Sequence, residues 1–251
     1  PCIYEFGWSR KEFDKLASAT VAGHIIECGA QCTGGNFSRW MDLESLNNIG
    51  YPIASVNEDG SFDISKPENT GGIVNRFTVS EQILYELGDP RHYISPDVCV
   101  DFTSFNLVEM SDNIVAVNGV KGLPPTDTYK VSISYFDGYK ASGQLTISAP
   151  NALKKAQKSA EIIWKNLDML NIKYDKTLTE FLGLSSCHKS LVTTPDIINE
   201  IVLRLGVKSY DNKAVLRFTK ELAPLITSGP PGVTGFAEGR PRVREVVAYW
   251  P

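Results

Sequence analysis

Helical and extended patterns alternate along these 251 residues, and several extended runs are joined by turn sequences. That mixture predicts an α+β or mixed α/β fold, built of antiparallel hairpins with packed helices rather than a pure parallel sheet. Two observations carry it. A run of helical period follows a capping sequence at Ser9, and runs of period two flank both Asn57-Glu58-Asp59-Gly60 and Asp137-Gly138.

The first helix is announced by Ser9-Arg10-Lys11-Glu12, a capping box with Trp8 and Phe13 as its hydrophobic staple. Phe13, Leu16, Ala17, Thr20, Val21 and His24 then recur at steps of three and four. Continued past Gly23, the helix brings Glu27, Cys28 and Gln31 onto the same inward face. Stopped at Gly23, which weakens a helix by about 1 kcal/mol relative to Ala, it gives way to a short strand over 24–28. The longer helix is preferred. Residues 39–48 read as a short helix or loop closed by Gly50, and 51–56 with 61–65 as a hairpin on an Asp-Gly turn. A loop with a second double glycine, Gly71-Gly72, follows. Thr78, three residues before Glu81, reads as the N-cap of a helix running to Gly88, with Asp89-Pro90 as its stop.

Strands are expected over 98–102, 105–109 and 113–117, then a proline-stiffened turn over 122–130. The clearest hairpin pairs 129–136 with 139–148 across Asp137-Gly138. Pro150 and Asn151 open a long helix whose Leu153, Ala156, Ala160, Ile163, Leu167 and Leu170 keep helical spacing. A strand is expected at 172–174, a polar loop at 185–194, a turn of helix from 195 and a strand at 200–207. A helix at 213–226 precedes 228–236, whose glycines and prolines predict no regular structure, and 246–249 is a closing strand. The chain reads as one continuous region, with a sub-boundary near 149.

Composition narrows the function. The chain is 42% hydrophobic and 22% charged, with formal net charge −4, as in ordinary globular proteins. Mild acidity and the lack of a basic stripe in the sequence argue against a nucleic-acid binder. No apolar run reaches the roughly 20 residues that span a bilayer. Five cysteines, an odd number without a Cys-x-x-Cys pair, suggest reduced thiols and a cytoplasmic setting. The chain opens with apolar residues and no Met, which suggests an excerpt of a longer polypeptide. The sequence motifs of P-loop hydrolases, Rossmann dehydrogenases, serine hydrolases and His-Glu-x-x-His metalloproteases are absent. No metal site is expected, and no cofactor is indicated.

The candidate chemistry centres on 24–37. His24, Glu27 and Cys28 stand beside a loop whose bare backbone can approach a ligand, with Gln31, Gly34, Gly35 and Asn36 as candidate binding residues. One reading is a structural pair closing the helix; the other is a site for a small anionic substrate. Asp127 in the stiffened turn, with Lys130 after it, is a further candidate. So are Gly232, Arg240 and Arg242 of the tail, suited to a carboxylate or phosphate; a solvated surface loop explains the tail equally well.

The runs Gly23–Gln31, Thr33-Gly34-Gly35-Asn36-Phe37, Thr126-Asp127-Thr128-Tyr129-Lys130, Ser228–Gly235 and Val246–Pro251 together resemble the acyclic terpene utilisation family, AtuA. Cys32 departs from the family pattern, where a small or β-branched residue is expected. The resemblance implies a larger α/β protein whose N-terminal half precedes this chain and acts as its partner. It also implies a setting beside carboxylases and hydratases acting on acyl-CoA esters of acyclic terpenoids. The polar cluster at the helix end beside the two Gly-Gly loops gives an expectation of proton-transfer chemistry, of hydratase, lyase or isomerase type, on a carboxylate or acyl-thioester such as an acyl-CoA. Glu27 is then the acid or base, assisted by His24 or Cys28. The alternative is a non-catalytic subunit or binding module packing against the N-terminal half or another protein. A homo-oligomer is compatible with either.

Overall fold

The computed structural model describes residues 1–129, 131–184, 186–188, 191, 197–235 and 239–250. They form two compact units, Pro1–Tyr129 and Lys130–Pro251, each with its own hydrophobic core. Helices pack on antiparallel sheets in both, the expected α+β arrangement.

In the first unit, α1 (Cys2–Phe6) precedes α2 (Phe13–Glu27). Only half of the expected capping box forms. Glu12 reaches back to the Ser9 amide at 2.5 Å, but residues 9–11 make a turn and the helix starts at Phe13. The helix then runs through Gly23, because Leu16, Ala17, Val21 and Ile25 hold one face in the core. Strands β1 (Ile53–Val56) and β2 (Phe62–Ser65) make the expected hairpin.

Helix α3 (Arg76–Leu84) differs from expectation at both ends. Its N-cap is Asn75, whose side chain accepts from the Phe77 and Thr78 amides, while the Thr78 hydroxyl accepts from the Asn75 amide. Thr78 is therefore the far member of the box, and Asn is the better cap of the two. Glu81 instead accepts from the Ser38 hydroxyl at 2.6 Å. The helix ends before Gly88 because Tyr85 turns extended and Glu86 takes φ 56.

Strands β3 (Tyr93–Ile94), β4 (Cys99–Asp101), β5 (Asn106–Ser111), β6 (Ile114–Asn118) and β7 (Lys121–Leu123) complete two sheets, ordered β1-β2-β6-β5 and β3-β4-β7. Gly122 and Leu123, expected in a turn, are paired in β7. A Cβ at Gly122 would fall on the Phe13 carbonyl oxygen, so β7 lies directly against α2.

The second unit holds the largest correction. Strand β8 (Ile133–Ser148) is one strand of 16 residues, and Asp137-Gly138 is not a hairpin turn. Against the closing strand β12 (Arg244–Trp250), Tyr139 pairs with Glu245 and Phe136 with Val247, so Asp137 and Gly138 together face one residue. With Gly138 at φ 84 this is a β-bulge, the other structure that favours a left-handed glycine. Strands β9 (Lys176–Leu182), β10 (Glu200–Ser209) and β11 (Val233–Gly235) complete a sheet ordered β11-β8-β10-β9, with β12 also on β8. Strand β9 escaped the sequence reading. Residues 172–174, expected as a strand, lie outside any. Residues 233–235, expected to be irregular, pair with 145–147 of β8. Helix α4 (Ala152–Met169) forms as expected, whereas 213–226 divides into α5 (Asn212–Phe218) and α6 (Leu225–Ser228), the second opening at Pro224. No helix covers 197–199, and 195–196, like most of 185–194, falls outside the described residues.

The sheet has two distinct faces. Ala141, Leu145 and Ile147 of β8 and Ile201, Leu203, Leu205 and Val207 of β10 pack into one core with α4 and α5. Even-numbered residues of β9 and β10, and of β8 beyond the bulge, take the opposite face.

Candidate functional site

His24 lies in the last turn of α2, 8% exposed, with its ring edge-on to Phe102 at 5.4 Å between centroids. Its Nε2 is 3.2 Å from the Ile83 carbonyl oxygen of α3. A carbonyl only accepts, so Nε2 carries the hydrogen. Nδ1 then faces Glu27 Oε2 at 3.7 Å, an ion-pair distance one helical turn away. The Gln82 side chain donates to the His24 carbonyl at 3.0 Å, tying α3 to the same turn. The Glu27 side chain is 64% exposed, so the carboxylate meets solvent while the imidazole beneath it is held.

Cys28 caps α2 and is half-buried; Cys32 is fully buried. Burial pushes the Cys32 thiol up to about 12, so it stays protonated and unreactive at neutral pH. Among the described residues, no three His, Cys, Asp or Glu side chains are grouped to hold a metal ion.

The glycines beside this turn are committed to packing. Gly35 N donates to Ala30 O at 2.8 Å and Gly34 N to Gln31 O at 3.1 Å. Gly71 N and Gly72 N donate to Asn48 O and Ile49 O at 2.7 and 3.1 Å. A Cβ on Gly34, whose φ is 110, would strike Leu43. Gln31 is half-buried, and Asn36 is exposed with φ 59. Asp127 is exposed, and Lys130 lies outside the described residues.

The tail candidates belong to the second unit. Gly232, at φ 84, accepts from the Ser148 amide at 3.1 Å, and Lys155 donates to the neighbouring Pro231 carbonyl at 2.9 Å. Arg240 and Arg242 line a groove of about 1120 Å³ that also contains Lys140, Lys176, Lys208 and Arg244. Sequence reasoning missed these last four, because only the sheet register brings them together. Lys208 is bonded to Asp137 Oδ1 at 2.6 Å, which raises the lysine and, together with the Tyr210 hydroxyl, lowers the carboxyl.

A family model described as "Acyclic terpene utilisation family protein AtuA" matches residues 1–251. No curated protein and no solved structure matches the chain.

Proposed function

We propose, since the chain belongs to the acyclic terpene utilisation family AtuA over residues 1–251, that its part in that utilisation is proton transfer on a carboxylate or acyl-thioester. Glu27 is the acid or base of this chemistry, in the manner of a hydratase, lyase or isomerase. One observation carries the reading: an exposed carboxylate stands beside the Nδ1 of a buried histidine whose other nitrogen is already bound to a carbonyl. The ring has one nitrogen left with which to give or take a proton, and that nitrogen faces Glu27. Such a pair suits abstraction of a proton next to a carbonyl and its return elsewhere. Cys28, half-buried on the following residue, is the assisting group. Branched acyl-CoA catabolism in the cytoplasm is the setting that goes with this chemistry.

With a branched acyl-CoA as substrate, Glu27→Gln should abolish turnover while the melting temperature stays nearly unchanged. Full activity in that variant would refute the assignment. His24→Asn should shift the pH profile, since it removes the imidazole beside the carboxylate and leaves the carboxylate.

A binding module without catalysis is the second reading. It is favoured by the committed amides of Gly34, Gly35, Gly71 and Gly72, which leave those groups no hydrogen for a substrate oxygen. Here Glu27→Gln would not alter ligand or partner binding. Trp40 and Met41, 55% and 78% exposed, would be shielded on adding a partner, such as the N-terminal half of a longer chain.

A further inference from the structure

The second unit carries a row of cations that its own fold does not explain. In the sheet register Lys208 stands opposite Lys140 on one side and Lys176 on the other, and Lys140 stands opposite Arg244. Four strands therefore place four cations side by side, at intervals of roughly 5 Å and over about 14 Å. Like charges directly opposed across strands destabilise a sheet. Arg240 and Arg242 add two more at the margin of the same groove. Among the described residues, only Lys208 of these six has an acidic partner, Asp137. Asp175, just before β9, places a further carboxylate near Lys208 but accepts from the Tyr210 amide, and Glu180, farther along β9, is paired with Arg204.

A second observation concerns the floor of the groove. Gly206 lies in the middle of β10, between Ser142 and Leu178. A glycine inside a strand weakens it. Nothing in the packing calls for one: an added Cβ would meet Leu178, Ala141 and Ser142 at 3.5–3.6 Å, ordinary contact distances. A glycine inside a strand marks a bulge, a tight bend or a close approach to the backbone, and the unbroken register of β10 with both neighbours at Gly206 leaves the last.

From the row and the bare floor we infer that this groove binds a small molecule carrying two or more phosphate groups. A single carboxylate would neutralise one cation; a chain of phosphates can follow the row, with the arginines offering paired donors and the lysines point charges. The volume of about 1120 Å³ matches a coenzyme-sized ligand. Single-stranded nucleic acid fits less well, because among the described residues no aromatic side chain lines the groove for bases to stack on. The inference uses none of the residues around Glu27 and does not depend on that chemistry.

The test is calorimetric titration of the full chain with inorganic phosphate, pyrophosphate and triphosphate, at low and physiological salt. Affinity should rise along that series and fall with salt. The double variant Lys140→Gln/Arg244→Gln should bind triphosphate at least about tenfold more weakly, with a melting temperature equal to or above that of the parent. Gly206→Val should weaken binding with the charge unchanged. Lys154→Gln/Lys213→Gln, which removes two exposed lysines outside the groove, should bind as the parent does. No binding of triphosphate would overturn the inference. So would equal losses in both double variants, or tighter binding of a short single-stranded oligonucleotide through the same cations.

Discussion

His24 is held from both sides: the Ile83 carbonyl oxygen at Nε2 and the Glu27 carboxylate at Nδ1. Two sequence-distant residues, Ile83 and Phe102, fix the ring, so Nδ1 is the nitrogen turned toward the Glu27 carboxylate. The cysteines show the same control by surroundings. Cys28 and Cys32 are one turn apart in sequence, yet one is half-buried and the other fully buried, its thiol pushed up to about 12. In the folded protein at mildly alkaline pH, iodoacetamide should therefore modify exposed Cys187 and half-buried Cys2 and Cys28, and spare buried Cys32 and Cys99. Peptide mapping checks this, and Cys32 should become reactive only in denaturant.

At the scale of elements, α2 is tied to β7 by Asp14. Its carboxylate accepts from Lys121 Nζ at 2.7 Å and from the Gly122 amide at 2.9 Å. The Lys121 hydrogen bond is the main reason this carboxyl titrates below its ordinary range, with the Gly122 amide adding to it. A depressed carboxyl contributes stability above its unfolded pKa, about 4, and that contribution is lost as pH falls through the lower folded value. Asp14→Asn should thus lower stability at neutral pH and flatten the loss on acidification below about pH 4. Urea melts of both proteins across that range check it. The effect is small, because the side chain is 52% exposed. In the second unit β8 gives one edge to β10 and the other to β11 and β12, and the Asp137 carboxylate at its bulge holds Lys208.

Across the whole molecule the charges are unevenly distributed. Residues 1–129 hold eight Lys and Arg against eighteen Asp and Glu, a net −10; residues 130–251 hold seventeen against eleven, a net +6. The modest total of −4 conceals this difference. A polyanion that binds the folded second unit must stabilise it by mass action. Triphosphate at about one hundred times its dissociation constant should add about 2.7 kcal/mol to the unfolding free energy of that unit. Hydrogen exchange at the amides of 200–209 gives the readout, and unchanged protection there would contradict the expectation.

Local chemistry was enough to reveal α2, the hairpin at Asp59-Gly60, α4, β10 and the closing strand, because each is marked by its own apolar period or turn residues. It also revealed His24 and Glu27 as neighbours, since four residues of helix bring them together whatever lies around. The same local signals left ambiguous what depends on distant partners. Asp-Gly suits a hairpin turn and a bulge alike, and only pairing with β12 selects the bulge. Residues 233–235 become a strand because β8 offers an unpaired edge, and Gly122 is drawn into a strand by its contact with α2. The double glycines looked available to a ligand until packing assigned their amides to carbonyls nearby. The cation row was invisible for the same reason: Lys140, Lys176, Lys208 and Arg244 are far apart along the chain, and interstrand register alone makes them neighbours.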